Sequence, residues 1–399
     1  MKLNLRTLPP KHKIKGVPIL VRVDWNVPEA AARGLEGSLK LERSVPFIKQ
    51  LVKRGAIVIL LTHFGRPKRK DKLHSTRPLA KRMKRYGLDI AFHSESVSKP
   101  EERKRLADRL GKAKPGSLHL LENVRFEKGE EKNAVPLVKA WASLGYFFVN
   151  DAFASCHRAH ASVVGLAKML PSYAGPSLAQ EVAHLGRLLE KPSSPFIAVI
   201  GGKKLSSKIP VMKELLERCD QVLVGGAMAT PFLAAKKLQV GKSYLEKASI
   251  KEAAKFLKKP GLVLPLDVMV ADKLIANPKL KRVSVDAIGK KDMIVDIGPS
   301  TLAAWSKIIS ASKTILWNGP VGWTECKPCG NGSRFLARMI ATRAKGAAFG
   351  VSGGGDTLPI LAETKTAKWF DFISTGGGAM LEFLSLKGKL PGIVALQRR

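Results

Sequence analysis

The first half of the sequence places charged and amide side chains directly after four predicted strands. Asp24 and Asn26 alternate along an extended segment and therefore share one face. Arginine suits carboxylate and phosphate because its planar guanidinium can donate two parallel hydrogen bonds. A single arginine is compatible with a solvated surface residue, but basic residues after successive strands predict a pocket for a small, highly charged anion. The basic candidates are His63, Arg66, Arg125 and Arg158.

The second half carries glycine clusters after predicted strands and before predicted helices. Glycine in such turns lets backbone N–H groups approach phosphate oxygens, so the clusters predict a phosphate-rich ligand. They lie at residues 201–202, 225–226, 318–320, 353–355 and 376–378.

Three charged residues beside these glycines have two possible roles each. Asp356 could hold Mg²⁺, which binds through one or two carboxylates together with phosphate oxygens, or it could cap a helix. Lys204 and Lys208 lie four residues apart at a turn entering a helix, so both could reach the oxygens of a transferring phosphate. Alternatively, they are exposed lysines in a lysine-rich chain.

Two cysteine-containing clusters suggest other chemistry. Cys156, His157 and His160 resemble a metal or nucleophile cluster, but no further ligand group has suitable spacing, which favours ordinary polar contacts. Cys326 and Cys329 form a lone C-x-x-C, compatible with redox or zinc chemistry or with two unpaired loop thiols. We hypothesise that the two can form a disulfide.

The elements that position these residues are short β-branched runs alternating with amphipathic helices. Such alternation predicts parallel sheets with helices on both faces, and ligands bind at the carboxyl ends of the strands. The two series together contain more strands than one open sheet usually has. We therefore predict an α/β fold of two doubly wound parallel-sheet domains with an interdomain cleft. A hinge helix over 173–192 should join residues 1–172 to residues 193–379. The predicted strands are Val17–Val27, Ala56–Phe64, Ser117–Val124, Tyr146–Phe153, Phe196–Ile200, Gln221–Val224, Leu262–Val270, Met293–Ile297, Thr314–Trp317 and Ala347–Val351.

Composition excludes several classes of protein. The chain has 399 residues with 45% hydrophobic residues, which excludes disorder, and no apolar run approaches the ~18 residues of a membrane span. Its 69 Lys+Arg and 32 Asp+Glu give a net charge of +37, spread evenly, which indicates a basic surface rather than a specific nucleic-acid site. No secretory signal is visible, and four cysteines fit a reducing compartment, so we expect a cytoplasmic protein without a membrane partner.

Taken together, the motifs closely resemble those of the phosphoglycerate kinase family. The resemblance runs from Val21 to about Leu396. The matching segments are Val-Asp-x-Asn-Val-Pro at 23–28, His-x-Gly-Arg-Pro at 63–67, Leu-Glu-Asn-x-Arg-Phe at 121–126, Asn-Asp-Ala-Phe at 150–153, His-Arg-Ala-His-Ala-Ser at 157–162, Trp-Asn-Gly-Pro-x-Gly at 317–322, Gly-Gly-Gly-Asp-Thr at 353–357 and Ser-Thr-Gly-Gly-Gly-Ala at 374–379.

The resemblance implies reversible phosphoryl transfer from 1,3-bisphosphoglycerate to Mg-ADP, giving 3-phosphoglycerate and ATP. It implies a monomer that closes by hinge bending, with the N-terminal domain binding phosphoglycerate and completed by about residues 380–399. It also implies that the C-terminal domain binds the nucleotide, with Glu325 on the ribose and Asp356 on Mg²⁺. The substrate residues carried over are Asp24, Asn26, His63, Arg66, Arg125 and Arg158. The nucleotide residues are Gly202, Lys204, Gly226, Asn318, Pro320, Glu325, Gly353, Gly354, Gly355, Asp356 and Thr357. The catalytic candidates are Lys40, Arg43, Lys204, Lys208, Gly354 and Gly377.

Several positions depart from the family pattern. Lys203 adds charge beside the expected phosphates, Ser207 replaces an aspartate that we interpret as a helix cap, and Ala227 replaces a glycine near the expected adenine site. The family's arginine aligns best with Lys40, and Arg43 lies one helical turn further on. Two rivals remain: a weakly active homologue retained as a basic polyanion- or RNA-binding protein, and a sugar- or acid-phosphate kinase with a different anion pocket.

Overall fold

The computed structural model describes residues 5–8, 13–33 and 38–397 of the chain. The chain divides into two compact units, one of residues 1–186 with 388–399 and the other of residues 187–387. Each unit contains a six-stranded parallel sheet with flanking helices. The predicted α/β class with two parallel sheets is therefore confirmed.

The first unit is built on a parallel sheet with the strand order β3-β4-β2-β1-β5-β6. Its central strands are buried because helices flank the sheet, and every residue of β2 is buried. The strands are β1 Pro18–Arg22, β2 Ile57–Leu61, β3 Ala91–His93, β4 Leu118–Leu121, β5 Phe147–Asn150 and β6 Ser172–Ala174. The helices are α1 Glu29–Arg33, α2 Leu39–Lys53, α3 Arg77–Met83, α4 Pro100–Gly111, α5 Val135–Ala142, α6 Leu166–Met169 and α7 Pro176–Glu190.

The second unit contains a parallel sheet of order β15-β14-β13-β7-β8-β9 and a smaller sheet of order β11-β10-β12. The strands are β7 Phe196–Ile200, β8 Gln221–Val224, β9 Leu262–Val263, β10 Asp267–Ala271, β11 Lys281–Ser284, β12 Met293–Ile297, β13 Thr314–Asn318, β14 Phe349–Gly353 and β15 Phe372–Ser374. The helices are α8 Ile209–Arg218, α9 Thr230–Ala235, α10 Ile250–Phe256, α11 Pro299–Ala311, α12 Asn331–Ala344, α13 Leu358–Glu363 and α14 Gly378–Ser385, and α15 Pro391–Val394 belongs to the first unit.

The small sheet corrects the prediction of a single strand over Leu262–Val270 and of Met293–Ile297 as one more parallel strand. The structure ends β9 at Val263 and begins β10 at Asp267, and β10 pairs antiparallel with both β11 and β12. Pro265 separates the two strands because proline has no N–H to donate to a sheet. The predicted single run is therefore divided between two sheets.

Helix α2 illustrates how the apolar spacing builds the first unit. Leu41, Val45, Ile48 and Leu51 recur three or four residues apart, so they lie on one face, and all four are buried in the core of that unit. The opposite end of the chain joins the same unit, where the Gly392 N–H donates to the carbonyl of Cys156 at 2.8 Å. Helix α2 also carries the two catalytic candidates Lys40 and Arg43.

Candidate active site

The anion-site candidates of the first unit lie at the carboxyl ends of four adjacent strands, β4-β2-β1-β5. Asp24 and Asn26 follow β1, His63 follows β2, and Arg125 follows β4. Arg158 lies in the segment after β5. Because parallel strands all end at the same sheet edge, the topology brings these residues to one side of the unit.

His63 is held neutral at the centre of this edge. Its Nδ1 lies 3.0 Å from the guanidinium of Arg22, and arginine can only donate, so Nδ1 accepts and the ring proton lies on Nε2. Burial, reinforced by the positive charges of Arg22, Arg125, Lys40 and Arg158, holds the pKa of His63 well below its usual 6.5. The Nε2–H can therefore donate a hydrogen bond to an anion.

Arg22 is a buried residue of the site that sequence reasoning missed. It also donates to Ser162 Oγ at 3.1 Å and to the Val23 carbonyl at 2.6 Å. Ser162 in turn donates to Glu130 at 2.5 Å, so a buried carboxylate lies behind the buried guanidinium. The signal for Arg22 was its position as the last residue of an otherwise apolar strand, β1, in which four positions including its own are buried. A charged residue there indicates a functional or paired group, because a buried charge requires partners.

Arg66, Arg125 and Arg158 form a cluster of like charges. Burial, followed by repulsion from Arg158, lowers the pKa of Arg125 to about 10, and Arg66 and Arg22 add to that repulsion. Arg125 also donates to the Gly65 carbonyl, and Arg158 lies 3.0 Å from His157. A bound anion would relieve this repulsion, which agrees with the predicted pocket for a small anion.

Lys40 and Arg43 point to different partners. Lys40 Nζ lies 2.7 Å from Asp24 Oδ2 and 3.3 Å from the Asn26 carbonyl, so it belongs to the anion site. Arg43 instead lies 3.7 Å from Glu181 on α7. Burial lowers the pKa of Arg43, and the buried carboxylate of Glu181 opposes that effect. The geometry associates Lys40, and not Arg43, with the substrate residues.

Four of the five glycine clusters, those at 201–202, 318–320, 353–355 and 376–378, contribute to the lining of a cavity of about 330 Å³ that is also lined by three lysines. It lies where β7, β13, β14 and β15 end. Helix α14 begins at its wall with Gly378, so the positive end of the helix dipole lies beside the cavity, although the Ala379 N–H already donates to the Gly376 carbonyl at 2.7 Å. The polar and glycine lining consists of Gly202, Lys203, Lys204, Ser207, Lys208, Asn318, Gly319, Gly354, Gly355, Asp356, Gly377 and Gly378.

Glycine is required where the loops of this cavity cross. Gly319 has a φ of +88°, and a Cβ there would lie 2.5 Å from the Gly201 carbonyl oxygen and 3.0 Å from Lys208 Nζ. Gly226 has a φ of +68°, and its Cβ would lie 2.9 Å from backbone atoms of Gly202. Both turns therefore depend on glycine for conformation and for space.

Lys208 and Lys204 differ sharply in environment. Lys208 is buried, and its ammonium donates to the Gly201 carbonyl at 2.6 Å, to Asn318 Oδ1 at 2.7 Å and to the Asn318 carbonyl at 3.3 Å. Burial lowers the pKa of Lys208 to about 8. Its three N–H groups are thus engaged within the protein, whereas Lys204 is exposed in the cavity wall.

Asp356 does not cap the helix that follows it. Thr357 is the residue flanking α13, and no side-chain hydrogen bond caps that helix. Thr357 Oγ1 accepts from the Gly319 N–H at 2.9 Å, whereas Asp356 is exposed in the cavity wall. Within the described ranges no three His, Cys, Asp or Glu residues group as a metal site, so Mg²⁺ here would require phosphate oxygens, which is its usual mode of binding.

A second cavity of about 400 Å³ adjoins the first and shares Gly202, Lys203 and Asp356 with it. Glu325 lies in its wall with apolar and aromatic neighbours, a lining suited to a flat ring and a sugar. The wall of this second cavity also includes Gly226, Ala227, Tyr244, Leu274, Met293, Ile294, Pro320 and Trp323.

The cysteine side chains themselves lie outside the chemistry described so far. Cys156 is buried, and burial raises the pKa of its thiol to about 12, so it is neither a nucleophile nor a thiolate ligand. Cys326 and Cys329 are joined by a disulfide directly after Glu325. Ser207 also differs from its interpretation as a helix cap, since its hydroxyl donates to the Lys204 carbonyl at 2.9 Å.

Comparison with known proteins decides the family. A model described as phosphoglycerate kinase matches residues 10–389. The chain belongs to the phosphoglycerate kinase family. The phosphoglycerate kinase of Xanthobacter autotrophicus is 42% identical over 387 residues, covering 95% of this chain and 96% of the relative. That of Zymomonas mobilis is 40% identical, covering 99% and 100%.

Solved structures of the phosphoglycerate kinase family have the same fold. The enzyme from Coxiella burnetii matches with a TM-score of 0.83 at 35% identity, covering 98% of this chain and 99% of that one. The enzyme from Pyrococcus horikoshii matches with a TM-score of 0.84 at 28% identity, covering 98% of each. The family prediction is thereby confirmed, and the rival interpretation as a polyanion- or RNA-binding protein receives no support. None of the helices in the described part of the chain is long and apolar enough to span a membrane.

Proposed function

We propose that this chain transfers a phosphoryl group reversibly from 1,3-bisphosphoglycerate to ADP, giving 3-phosphoglycerate and ATP. The observation that carries the proposal is the cluster of mutually repelling cations around Arg125 in the first unit. Such a cluster is stabilised by a ligand that bears several negative charges, and phosphoglycerate is such a ligand. The family membership supports this substrate, and the glycine-lined cavity of the second unit supplies a site for the nucleotide.

In this proposal the first unit binds phosphoglycerate. Arg66, Arg125 and Arg158 would bind carboxylate and phosphate oxygens through their guanidinium groups. His63 would donate from Nε2, the nitrogen that Arg22 leaves protonated. Asp24 and Asn26 would accept from the substrate hydroxyl group, and Lys40 adds positive charge beside them at 2.7 Å from Asp24.

The second unit would bind the nucleotide through the two adjoining cavities. The base and ribose would occupy the 400 Å³ cavity, with Glu325 accepting from the ribose hydroxyl groups, and the phosphates would enter the glycine-lined cavity. Lys204 and the backbone N–H groups near Gly354 and Gly377 would contact the transferring group. Lys208 would act by its charge and by holding Asn318, because its own N–H groups are already engaged. The remaining glycines and Pro320 and Thr357 would shape the turns.

A magnesium ion would be held by Asp356 together with nucleotide phosphate oxygens, and when bound it would neutralise charge on those phosphates. The residues of this chain need to supply positioning and positive charge in a site that excludes water, rather than covalent chemistry. A general base is not required, since the attacking oxygen belongs to a carboxylate or a phosphate that is already anionic.

Direct transfer requires the two substrates to meet, so we propose that the enzyme closes by hinge bending during turnover. We also propose that it acts as a cytoplasmic monomer, in keeping with a glycolytic family. The interdomain cleft remains a prediction. Small-angle scattering with and without both substrates tests closure, and sedimentation at micromolar concentration tests the monomer.

The proposed activity is tested by coupling ATP consumption to 3-phosphoglycerate. We expect Mg-ATP-dependent turnover that falls sharply in Arg66→Ala and in Arg158→Ala, with the loss concentrated in the use of 3-phosphoglycerate. Arg105→Ala removes the same charge from an exposed position of α4 and is the matched control. Unchanged kinetics in both site variants would refute the anion-site assignment, and wild-type protein without turnover would refute the proposed activity.

A further inference from the structure

Lys203 stands where the two cavities of the second unit meet. The residues common to both linings are Gly202, Lys203 and Asp356, so Lys203 is the only lysine or arginine shared by these two linings. Lys204 and Lys208 line only the glycine-rich cavity, and Lys242 lines only the larger one. The charge of Lys203 is therefore placed at the junction itself.

The ammonium of Lys203 is held by an aromatic ring. Its Nζ lies 5.0 Å from the centroid of Tyr244, within the range of a cation–π contact. The backbone of Tyr244 is anchored, because its carbonyl accepts from the hydroxyl of the buried Thr230 at 2.7 Å, while Tyr244 itself is 41% exposed. Lys203 is exposed, so its N–H groups remain accessible to a ligand while the ring limits where the side chain lies.

We propose that Lys203 binds the α-phosphate of the nucleotide. This inference rests on the proposed function, in which the ribose lies in the larger cavity and the outer phosphates lie in the glycine-rich cavity. The phosphate that links those two parts must then lie at the junction of the two cavities. There Lys203 supplies a positive charge, and Gly202 allows its backbone to approach the phosphate. Lys203 is thus a nucleotide-binding residue in addition to those that the family resemblance implies.

The position of Lys203 predicts a distinctive dependence on the ligand. Every adenine nucleotide carries an α-phosphate, so loss of Lys203 should weaken AMP and ADP binding by the same factor and leave adenosine unaffected. Loss of Lys204, which lines only the outer-phosphate cavity, should weaken ADP binding more than AMP binding. The comparison of AMP with ADP therefore separates the two neighbouring lysines.

The experiment is calorimetric titration of the full-length protein with adenosine, AMP and ADP, all without divalent metal and in a chelator. We expect Lys203→Ala to lose about fivefold in affinity for AMP and for ADP, the upper end for an exposed ion pair. Lys203→Arg should retain most of the affinity, and Lys236→Ala, which removes an exposed charge from the same unit away from both cavities, should match wild type.

Each result either supports or overturns the inference. Unchanged AMP affinity in Lys203→Ala would overturn it, and so would an equal loss for adenosine, which would indicate a change in the shape of the larger cavity. A loss for ADP without a loss for AMP would assign Lys203 to an outer phosphate instead. If wild-type protein bound no ADP, the proposed function itself would fail, which is a distinguishable outcome.

Discussion

At the scale of single residues, α2 separates two cations that the sequence could not rank. Lys40 and Arg43 are three positions apart, but Lys40 contacts Asp24 at 2.7 Å whereas Arg43 lies 3.7 Å from Glu181. A buried carboxylate such as Glu181 requires a partner, so Arg43 is committed to α7. We therefore propose that Lys40 takes the arginine role of this family.

We expect Lys40→Ala to lower kcat by about 100-fold, as the loss of one donor to a developing oxyanion does. Lys40→Arg should leave substrate binding similar and raise kcat, because a guanidinium can contact two oxygens at once. Arg43→Ala should keep most of the turnover and lower the free energy of unfolding by about 1–3 kcal/mol, because it removes the ion pair to the buried carboxylate of Glu181. Steady-state kinetics measures the turnover of the three variants, and urea denaturation measures the free energy of unfolding of Arg43→Ala. A silent Lys40→Ala with an inactive Arg43→Ala would reverse the assignment.

The buried ammonium of Lys208 predicts a pH dependence of nucleotide binding. Its pKa is lowered by burial to about 8, so the positive charge is present below pH 8 and is lost as pH rises through that value. Affinity for metal-free ADP should therefore decline above pH 8, as measured by calorimetry between pH 6.5 and 9. Lys208→Met should show weaker binding without this step. The same decline in both proteins would show that another group titrates.

The sign of the stability effect is opposite. The pKa of Lys208 in the folded protein lies below its ordinary 10.5, so the unfolded chain holds the proton more tightly. Between about pH 8 and 10.5 the contribution of this residue to folding becomes more favourable as pH rises. A loss of ADP affinity above pH 8 would therefore not reflect destabilisation of the protein by Lys208.

At the scale of elements, the turns after β7 and β13 cross so closely that only glycine fits. Gly319 lies against the Gly201 carbonyl and Lys208 with a positive φ, whereas a Cβ on Gly186 inside α7 would meet no atom within 4 Å. The same substitution should therefore have opposite effects at the two positions. The difference follows from space and conformation rather than from residue type.

Gly319→Ala should weaken ADP binding and destabilise the second unit, because the added methyl must displace backbone and the Lys208 ammonium. Gly186→Ala should stabilise the protein by about 0.5–1 kcal/mol, since alanine loses less conformational entropy in a helix. Urea unfolding and ADP titration of both variants check the pair. Equal stability changes of the same sign would contradict the crossing-turn explanation.

At the scale of the whole molecule, the net charge of +37 acts on anionic substrates before they reach the site. Salt shortens the Debye length from ~10 Å at 0.1 M to ~3 Å at 1 M, which screens this attraction. The KM for 3-phosphoglycerate should therefore rise as KCl is added at constant free Mg²⁺. A neutral osmolyte at matched osmolality is the control. A constant KM over this range would exclude long-range attraction as a contributor.

The sequence by itself determined the local elements and the residues at the strand ends. Apolar spacing in the sequence predicts helices over 41–54, 101–110 and 301–310, because it encodes the buried face of a helix. These ranges match α2, α4 and α11 within two residues. The strands before the candidate clusters were also predicted, except β15, which precedes the glycines at 376–378. Since parallel strands end at one edge, this was enough to place the anion-site and phosphate-site residues together in their respective units.

Only the tertiary structure decided features that depend on partners distant in the chain. The edge strands β3, β6 and β15 have three residues each, too short for a periodic signal, and the antiparallel pairing of β10 joins segments up to 30 residues apart. Burial of Arg22 and Lys208 and the choice between Lys40 and Arg43 likewise depend on Ser162, Asn318 and Glu181. Local patterns specify which face of an element is buried, but a side chain's charge state and role are set by what packs against it.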